Sequence, residues 1–480
     1  MTVGKMMKGN RWVRLPESTE RMMKWEGKRV IVLGLARQGI ALTRYFAKGG
    51  AEVVVSDLKP REALSEARQA LSDLPVEYVF GGHPPALLER ADLLCLSGGV
   101  PADLPLALQA RELGIKVTND AQLFLEICPA TVIGITGSAG KSTVTTLVGR
   151  MALSQFEDTE SSAWIGGNIG RPLLADLPDI GADDLVIMEL SSFQLELMTI
   201  SPPVAGVLNV TPNHLDRHLT MEAYTAAKSR ILDFQSSEDV AILGREDPGA
   251  WALREKVRGR LISFGWSAPE EGDGTYIEDG IIMLRLGMND VELSPVGEVE
   301  LRGEHNLLNV LASCAIAGAV DISPQAMVAG IRGFQGIEHR LEFVRRIDGV
   351  DWYNDSIATS PERTIAAIRA FDEPLVLLAG GRDKDLPWGD FATLVRQRID
   401  HLILFGEAAE KIAQVIKTSP GPNKIQSFEV CDGLEAAVHL AKRVAEAGDV
   451  VLLAPGGTSF DEFNDFAERG EAYRAWVEGL

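Results

Sequence analysis

Residues 134–143 read GITGSAGKST, and the fold class of the whole chain turns on them. Before them, residues 130–133 form a short β-branched run with the character of a strand; after them, residues 144–153 carry the apolar spacing of a helix. A strand, a glycine loop and a helix start let consecutive backbone N–H groups point at a phosphate, because Gly137 and Gly140 accept approaches that a Cβ would forbid. Lys141 adds a point charge and Ser142 a hydroxyl suited to Mg²⁺, while the helix start contributes roughly half a positive charge. The commoner pattern has its first glycine where Ile135 stands, so the signature shortens to G-x-x-G-K-S. A tight turn with a solvated lysine is the alternative.

With 480 residues the chain is long enough for about three domains, each with its own core. Acidic residues number 68 against 47 basic ones, a formal charge of −21. That balance argues against a nucleic-acid or anionic-membrane surface, and any anionic substrate then needs local cations. Cys95, Cys128, Cys314 and Cys431 lie far apart without a C-x-x-C pair, and read as buried thiols of a reducing compartment. No apolar run approaches the length of a membrane helix. Residues 1–25 are basic without an apolar segment behind them, so they read as an extension and not a secretory signal. A cytoplasmic protein is expected.

Outward from the phosphate loop, residues 26–119 read as a first α/β unit. It opens on KRVIVLGLARQG (28–39), a buried strand running into a glycine turn, with Asp57 at the end of a second strand and SGGVP (97–101) after a later one. Ala36 stands where a dinucleotide fingerprint has its middle glycine, which weakens a nicotinamide reading. Residues 120–336 form the central unit, whose loops GGNIG (166–170), ELSSFQLE (189–196) and NVTPNHLDRH (209–218) follow or flank strands. In a parallel sheet such loops gather at one end, so Glu189 and His214 are expected near the phosphate loop. A helix over 221–234 carries Lys228, hairpins fill 257–301, and GEHNLLN (303–309) opens another helix. Residues 337–480 begin with a hairpin turned at Asp348-Gly349 and then alternate helix and strand. The fold class expected is α/β in three domains: an N-terminal Rossmann-like unit, a central P-loop ATPase-type parallel sheet and a C-terminal Rossmann-like unit.

Ser142, Glu189 and a nucleotide would suit one Mg²⁺, which prefers oxygen ligands. His214 and His218, four apart, would equally suggest zinc, or a histidine satisfied in the core. On residue type alone, Lys228 would pair with Glu222 or Asp233 on a solvated helix face; for Lys384 a solvated turn charge is the alternative to a fixed cation for an acidic substrate.

Taken together and in order, ITGSAGKST, GGNIG, ELSSFQLE, NVTPNHLDRH, the Lys228 helix, GEHNLLN, GIEHR (336–340) and YNDSIATSP (353–361) resemble the Mur ligase family over nearly the whole chain from Lys28. ELSSFQLE with GGNIG resembles the branch that takes UDP-N-acetylmuramoyl-L-alanine and D-glutamate in peptidoglycan synthesis; the D-N-P and D-Y-x-H-H-P segments of two other branches do not occur. The resemblance implies ATP and Mg²⁺ as cofactors, an acyl phosphate intermediate, a monomer, and no nucleic-acid or membrane partner. It assigns Gly137, Ser138, Ala139, Gly140, Lys141, Ser142 and Thr143 to ATP, with Asn306, Asn309, His339, Arg340 and Asp355. It assigns one metal to Ser142 and Glu189, and a second to His214 and a carbamylated Lys228, with Lys141, Lys228, His214 and Glu189 as the catalytic set. Arg37, Gln38, Asp57, Ser97 and Asn168 fall to the UDP-sugar, and Thr359, Lys384, Ser459 and Phe466 to D-glutamate. The chain departs from the family at Ala139, where asparagine is usual, and at Ile357, where many relatives have lysine. Rival readings are a glutamate-adding enzyme of folates, an ATPase that joins nothing, and a dehydrogenase.

Overall fold

The computed structural model describes residues 25–168, 172–213, 215–384 and 386–480, without the side chains of Leu215 and Asp216. It divides into two compact units, one running to Val299 and resuming over Glu304–Gly333, the other made of Glu300–Gly303 and Phe334–Leu480.

The first unit holds two sheets. In the N-terminal one, β1 (Arg29–Leu33), β2 (Glu52–Asp57), β3 (Val76–Phe80), β4 (Leu93–Leu96) and β5 (Lys116–Thr118) lie in the order β3-β2-β1-β4-β5, all parallel. The turn from β1 into α1 (Arg37–Lys48) is tight enough that a Cβ on Gly39 would sit 1.9 Å from the carbonyl oxygen of Gly34. Trp25, at the edge of the basic extension, packs edge-on against Phe46 with ring centroids 4.8 Å apart.

From β5 the chain enters α2 (Asp120–Ile127), capped by Asn119, whose side chain accepts from the Gln122 N–H. Asn119 Nδ2 also donates to the carbonyl of Gln194 at 2.7 Å, and Gln194 Nε2 donates to the buried Asp120 carboxylate. Burial raises the Asp120 pKa to about 6, against the opposing effect of Gln194. One continuous apolar core runs from Val30, Leu42 and Phe46 through Phe124 and Leu173 to Val186, Ala205 and Leu243.

The central sheet contains β6 (Thr131–Thr136), β7 (Ala163–Gly167), β8 (Leu185–Glu189), β9 (Val204–Val207), β10 (Val240–Gly244), β11 (Arg260–Phe264), β12 (Asp273–Glu278), β13 (Ile281–Leu286) and β14 (Asn289–Pro295). Their order is β14-β13-β12-β11-β10-β9-β6-β8-β7, parallel up to β12 and antiparallel beyond it. Since β6 lies between β8 and β9, the loops leaving all three strands open at the same edge. The helices that serve this edge are α3 (Lys141–Gln155), α4 (Ser192–Leu195), α5 (Met221–Asp233) and α6 (Glu304–Ala319).

In the second unit β15 (Glu342–Ile347), β16 (Val350–Asn354), β17 (Leu375–Gly380), β18 (Ile399–Phe405), β19 (Ser427–Cys431) and β20 (Val450–Gly456) lie in the order β15-β16-β20-β17-β18-β19. The expected hairpin joins β15 to β16: Asp348 and Gly349 both take positive φ, 52° and 83°, as a tight primed turn requires. α7 (Pro361–Ile368) and α8 (Phe466–Glu478) flank the carboxyl ends of β16 and β20. Cys95, Cys128 and Cys314 are buried, whereas Cys431 on the edge strand β19 is only half-buried, a correction to the reading of four buried thiols. Among the described residues no helix is long and apolar enough to cross a membrane.

Arg469 on α8 fixes the interior of this second unit. Fully buried, it donates to the Ser356 hydroxyl at 3.0 Å, the Ser356 carbonyl at 2.8 Å and the Gly457 carbonyl at 3.3 Å. Burial lowers its pKa to about 10. Arg469→Ala removes all of these donors and opens a cavity, at a cost of roughly 3–5 kcal/mol. The expected outcome is a fall of about 10 °C in the melting of this unit, read by calorimetry.

Candidate functional site

The phosphate loop is shaped by contacts within the chain. Gly140 has φ of 83°, and a Cβ there would meet Asn309 Oδ1 at 2.3 Å, so glycine is required both by conformation and by α6. Lys141 begins α3, and its Nζ donates to the carbonyls of Gly137 at 2.9 Å and Ser138 at 3.3 Å. Ser138 accepts from the Thr211 N–H and donates to the Thr211 carbonyl, and its hydroxyl lies 3.1 Å from Tyr224 Oη. Ala139, which departs from the family's asparagine, is gripped from outside: Asn209 Oδ1 accepts from its N–H at 2.8 Å and Asn209 Nδ2 donates to its carbonyl at 3.1 Å. Thr143 is buried in the first turn of α3. On α6, Asn309 Nδ2 donates to Asn306 Oδ1 at 3.0 Å.

Register brings the carboxylate to the loop. Glu189 ends β8 opposite Ile135 on β6, and is 1% exposed. Its Oε2 accepts from Ser142 Oγ at 2.8 Å and its Oε1 from Asn168 Nδ2 at 2.8 Å, so three residues far apart in sequence form one constellation. Ser142 and Glu189 offer hard, anionic or neutral oxygens at the mouth of a phosphate loop, a donor set that fits Mg²⁺ better than a softer metal.

Lys228 does not lie on a solvated helix face. It is 1% exposed, its Nζ donates to the Gly137 carbonyl at 2.8 Å and toward Thr136 Oγ1 at 3.4 Å, and it stands 4.8 Å from the Tyr224 ring centroid. Its expected partner Asp233 binds Lys256 at 2.8 Å. Burial, then the Lys141 charge, pushes its pKa well below the ordinary lysine value, with Glu189 acting in the opposite sense.

His214 lies outside the described residues. Its neighbour four residues on, His218, is buried between Ser192 Oγ at 2.9 Å and Glu196 Oε1 at 3.1 Å and stacks on Phe193, which accounts for it as a core residue and not half of a zinc pair. Among the described residues no group of three or more His, Cys, Asp or Glu side chains gathers as a metal site.

In the N-terminal sheet the predicted residues meet at the carboxyl ends of β1, β2 and β4. Asp57 accepts from the Leu35 N–H at 2.7 Å and from the Lys59 N–H at 2.9 Å; Ser97 is buried, its N–H donating to Leu33. Gln38 is half-buried beside Gly98, and Arg37 is exposed. The sequence reading missed His83, whose Nδ1 lies 2.8 Å from Ser56 Oγ. Burial lowers its pKa and Asp57 raises it. GGHP (81–84) after a strand was the available signal.

In the second unit His339, at φ 62°, is buried, with its Nδ1 3.1 Å from Asn354 Nδ2 and its ring against Phe466. Arg340 is half-buried. Asp355 accepts from the Leu341 N–H at 3.1 Å. Lys384 Nζ reaches Thr359 Oγ1 at 3.4 Å, Ser459 is buried, and Phe466 holds the Ser356 hydroxyl through its carbonyl.

Burial raises the Asp355 pKa to about 7, with Leu341, Arg340 and Arg363 pulling the other way. Against the model-peptide value of 3.8, the folded state then binds the proton more tightly than the unfolded chain. This group's contribution therefore favours folding below about pH 4 and is lost as pH rises towards about 7. Asp355→Asn, neutral and of the same shape, is expected to flatten the stability of this unit across that window, measured as denaturation midpoints from pH 4 to 8; parallel profiles for the two proteins would contradict it.

Known proteins share these elements. Residues 28–119 match the MurD-like N-terminal domain of Mur ligases, residues 135–317 the Mur ligase middle domain, and residues 339–457 the Mur ligase glutamate ligase domain. The chain is 38% identical over 455 residues to the UDP-N-acetylmuramoylalanine–D-glutamate ligase of Pelotomaculum thermopropionicum, covering 94% of this chain and 98% of that one. It is 36% identical over 459 residues to the enzyme of that name from Caldanaerobacter subterraneus, covering 95% and 100%. In fold it is similar to the UDP-N-acetylmuramate-alanine ligase of Thermotoga maritima, with a TM-score of 0.55 at 17% identity over 94% of this chain and 99% of that one. It is likewise similar to the MurF ligase of Thermotoga maritima in complex with ADP, with a TM-score of 0.53 at 17% identity over 95% and 97%. With the phosphate loop, its carboxylate and all three domain types accounted for, the chain belongs to the Mur ligase family.

Proposed function

We propose that the chain is an ATP-dependent ligase that adds D-glutamate to UDP-N-acetylmuramoyl-L-alanine, releasing ADP and phosphate, in the cytoplasmic stage of peptidoglycan synthesis. The observation that carries this reading is near-full-length identity of 36–38% with ligases of that name. The Ser142–Glu189–Asn168 constellation beside the phosphate loop supports it.

In this reading residues 26–119 hold the UDP moiety through Arg37, Gln38, Asp57 and Ser97, residues 120–336 hold ATP and Asn168 meets the sugar, and residues 337–480 hold the amino acid through Thr359, Lys384, Ser459 and Phe466. Residues 1–25 are an extension. ATP is bound by residues 137–143, Asn306, Asn309, His339, Arg340 and Asp355, and the protein works as a monomer.

A carboxylate is a poor electrophile. Its oxygen attacks the γ-phosphorus of ATP and ADP leaves, giving an acyl phosphate; the neutral amine of D-glutamate then attacks the acyl carbon, phosphate leaves, and the amine gives up a proton as the amide forms. The protein's part is positioning and charge neutralisation, supplied by Lys141 and the loop N–H groups. Ser142 and Glu189 would hold one Mg²⁺, and His214 with Lys228 a second. When bound, these ions would neutralise charge on the transferring phosphoryl group. Lys228, buried and biased towards its neutral amine, is suited to add CO₂ and lose a proton, forming the carbamate that turns a cation into an oxygen ligand.

The test is phosphate release by the purified protein with MgATP and UDP-N-acetylmuramoyl-L-alanine, adding D-glutamate, L-glutamate, D-alanine or meso-diaminopimelate separately. Release with D-glutamate alone, and a product heavier by one glutamyl residue, is the expected result. Release that ignores the amino acid would reduce the chain to an ATPase.

A further inference from the structure

In the second unit, three cations gather where the composition of the chain would least supply them. Arg363 lies in the first turn of α7 and donates from Nη1 to the Ile357 carbonyl at 3.1 Å. Thr359 donates its N–H to that same carbonyl at 2.8 Å, and Lys384 Nζ reaches Thr359 Oγ1 at 3.4 Å. Arg363 and Lys384 thus converge on one short segment, 357–359, at whose centre Ile357 brings no charge. Arg340 stands close enough to act on Arg363, and Arg363 on Lys384. Arg340 is half-buried, and Arg363 and Lys384 are exposed.

Such an arrangement costs stability. A cation in the first turn of a helix opposes the helix dipole, and like charges nearby add to the cost. Desolvation first, then Arg340, lowers the Arg363 pKa; desolvation, then Arg363 and Arg469, lowers that of Lys384. Asp355 and Glu362 act on Arg363 in the opposite sense, and burial shifts Asp355 itself towards neutrality. Exposed and gathered on one segment, Arg363 and Lys384 are open to an anion from outside. We propose that Arg363 is a second cation of the amino-acid pocket, which with Lys384 and Thr359 holds one carboxylate of the incoming acidic amino acid. The proposal rests on the glutamate-adding reading of the chain and adds a specificity-determining residue to it.

The experiment compares wild type, Arg363→Met and Arg363→Lys in phosphate release with D-glutamate and with its two monoamides, D-glutamine and D-isoglutamine. Arg363→Met is expected to raise the KM for D-glutamate about 10- to 100-fold, the loss of one charge-assisted hydrogen bond. The KM for ATP should stay within about threefold, and Arg363→Lys should recover part of the loss. With the monoamide that lacks the carboxylate Arg363 holds, wild type and Arg363→Met should differ by less than about threefold. An unchanged KM for D-glutamate, or an equal loss with D-glutamate and both monoamides, would overturn the proposal. Should wild type join a different amino acid, the functional reading fails by itself, and Arg363 is judged by the same KM shift with that amino acid.

Discussion

Lys228→Ala is expected to lower turnover at least about a thousandfold, the scale of losing a group that organises transition-state charge, while the protein stays folded. The amine earns no stability where it stands. It is 1% exposed, held against the Gly137 carbonyl, and lies near the Lys141 charge, so burial drives it towards neutrality. In the unfolded chain the same amine is protonated up to about pH 10.5. Between its lowered folded value and that limit the unfolded state binds more protons, and stability rises with pH. Lys228→Met, which keeps the volume and removes the titration, is therefore expected to be at least as stable as wild type, with its advantage largest at the acid end of that window. Denaturation midpoints at several pH values, set beside phosphate release, measure both halves. Turnover of Lys228→Ala within tenfold of wild type at saturating Mg²⁺ would end the metal-ligand reading, since a merely packed lysine can be lost without loss of chemistry.

Glu189→Gln separates a metal ligand from a hydrogen-bond acceptor. The carboxylate now satisfies two donors, Ser142 Oγ and Asn168 Nδ2. The amide keeps one acceptor oxygen and sets an NH₂ against the other donor, a penalty of about 1–3 kcal/mol to the fold. That alone would leave the dependence on Mg²⁺ unchanged. If Glu189 binds the ion, the Mg²⁺ concentration for half-maximal phosphate release should rise by about tenfold or more, with turnover down roughly 10²- to 10³-fold. Unaltered Mg²⁺ dependence would assign Glu189 to positioning Ser142 and Asn168 instead.

The parts of this architecture legible in the sequence were those fixed by local chemistry. Glycine spacing wrote the turn after β6, and Asp348-Gly349 wrote the β15–β16 hairpin, because few residues accept those backbone angles. The edge strands β3 and β19 left weaker marks: VEYVF and SFEVC are half-buried to exposed and lack the continuous apolar run of a buried strand. What the sequence could not carry was convergence. On a helix reading, Lys228 sits beside Glu222 and Asp233 and looks solvated; the packing of α5 under the phosphate loop decides otherwise. Asn209 grips the Ala139 backbone across 70 positions, and His83 reaches Ser56 across 27. These pairings depend on strand order, not on neighbours in the chain.

The core shared by the N-terminal and central sheets bears on how the gene could be cut. Trimming the chain at residue 119 would strip Leu173, Leu174 and Phe124 of packing partners and leave Gln194 without the Asn119 that holds its carbonyl. A fragment of residues 120–333 should accordingly aggregate, whereas residues 337–480, whose two apolar clusters are drawn almost entirely from their own strands and helices, should survive excision as a soluble module. For anyone swapping substrate specificities between relatives, the recombination point that leaves folding intact lies after the central sheet, not before it.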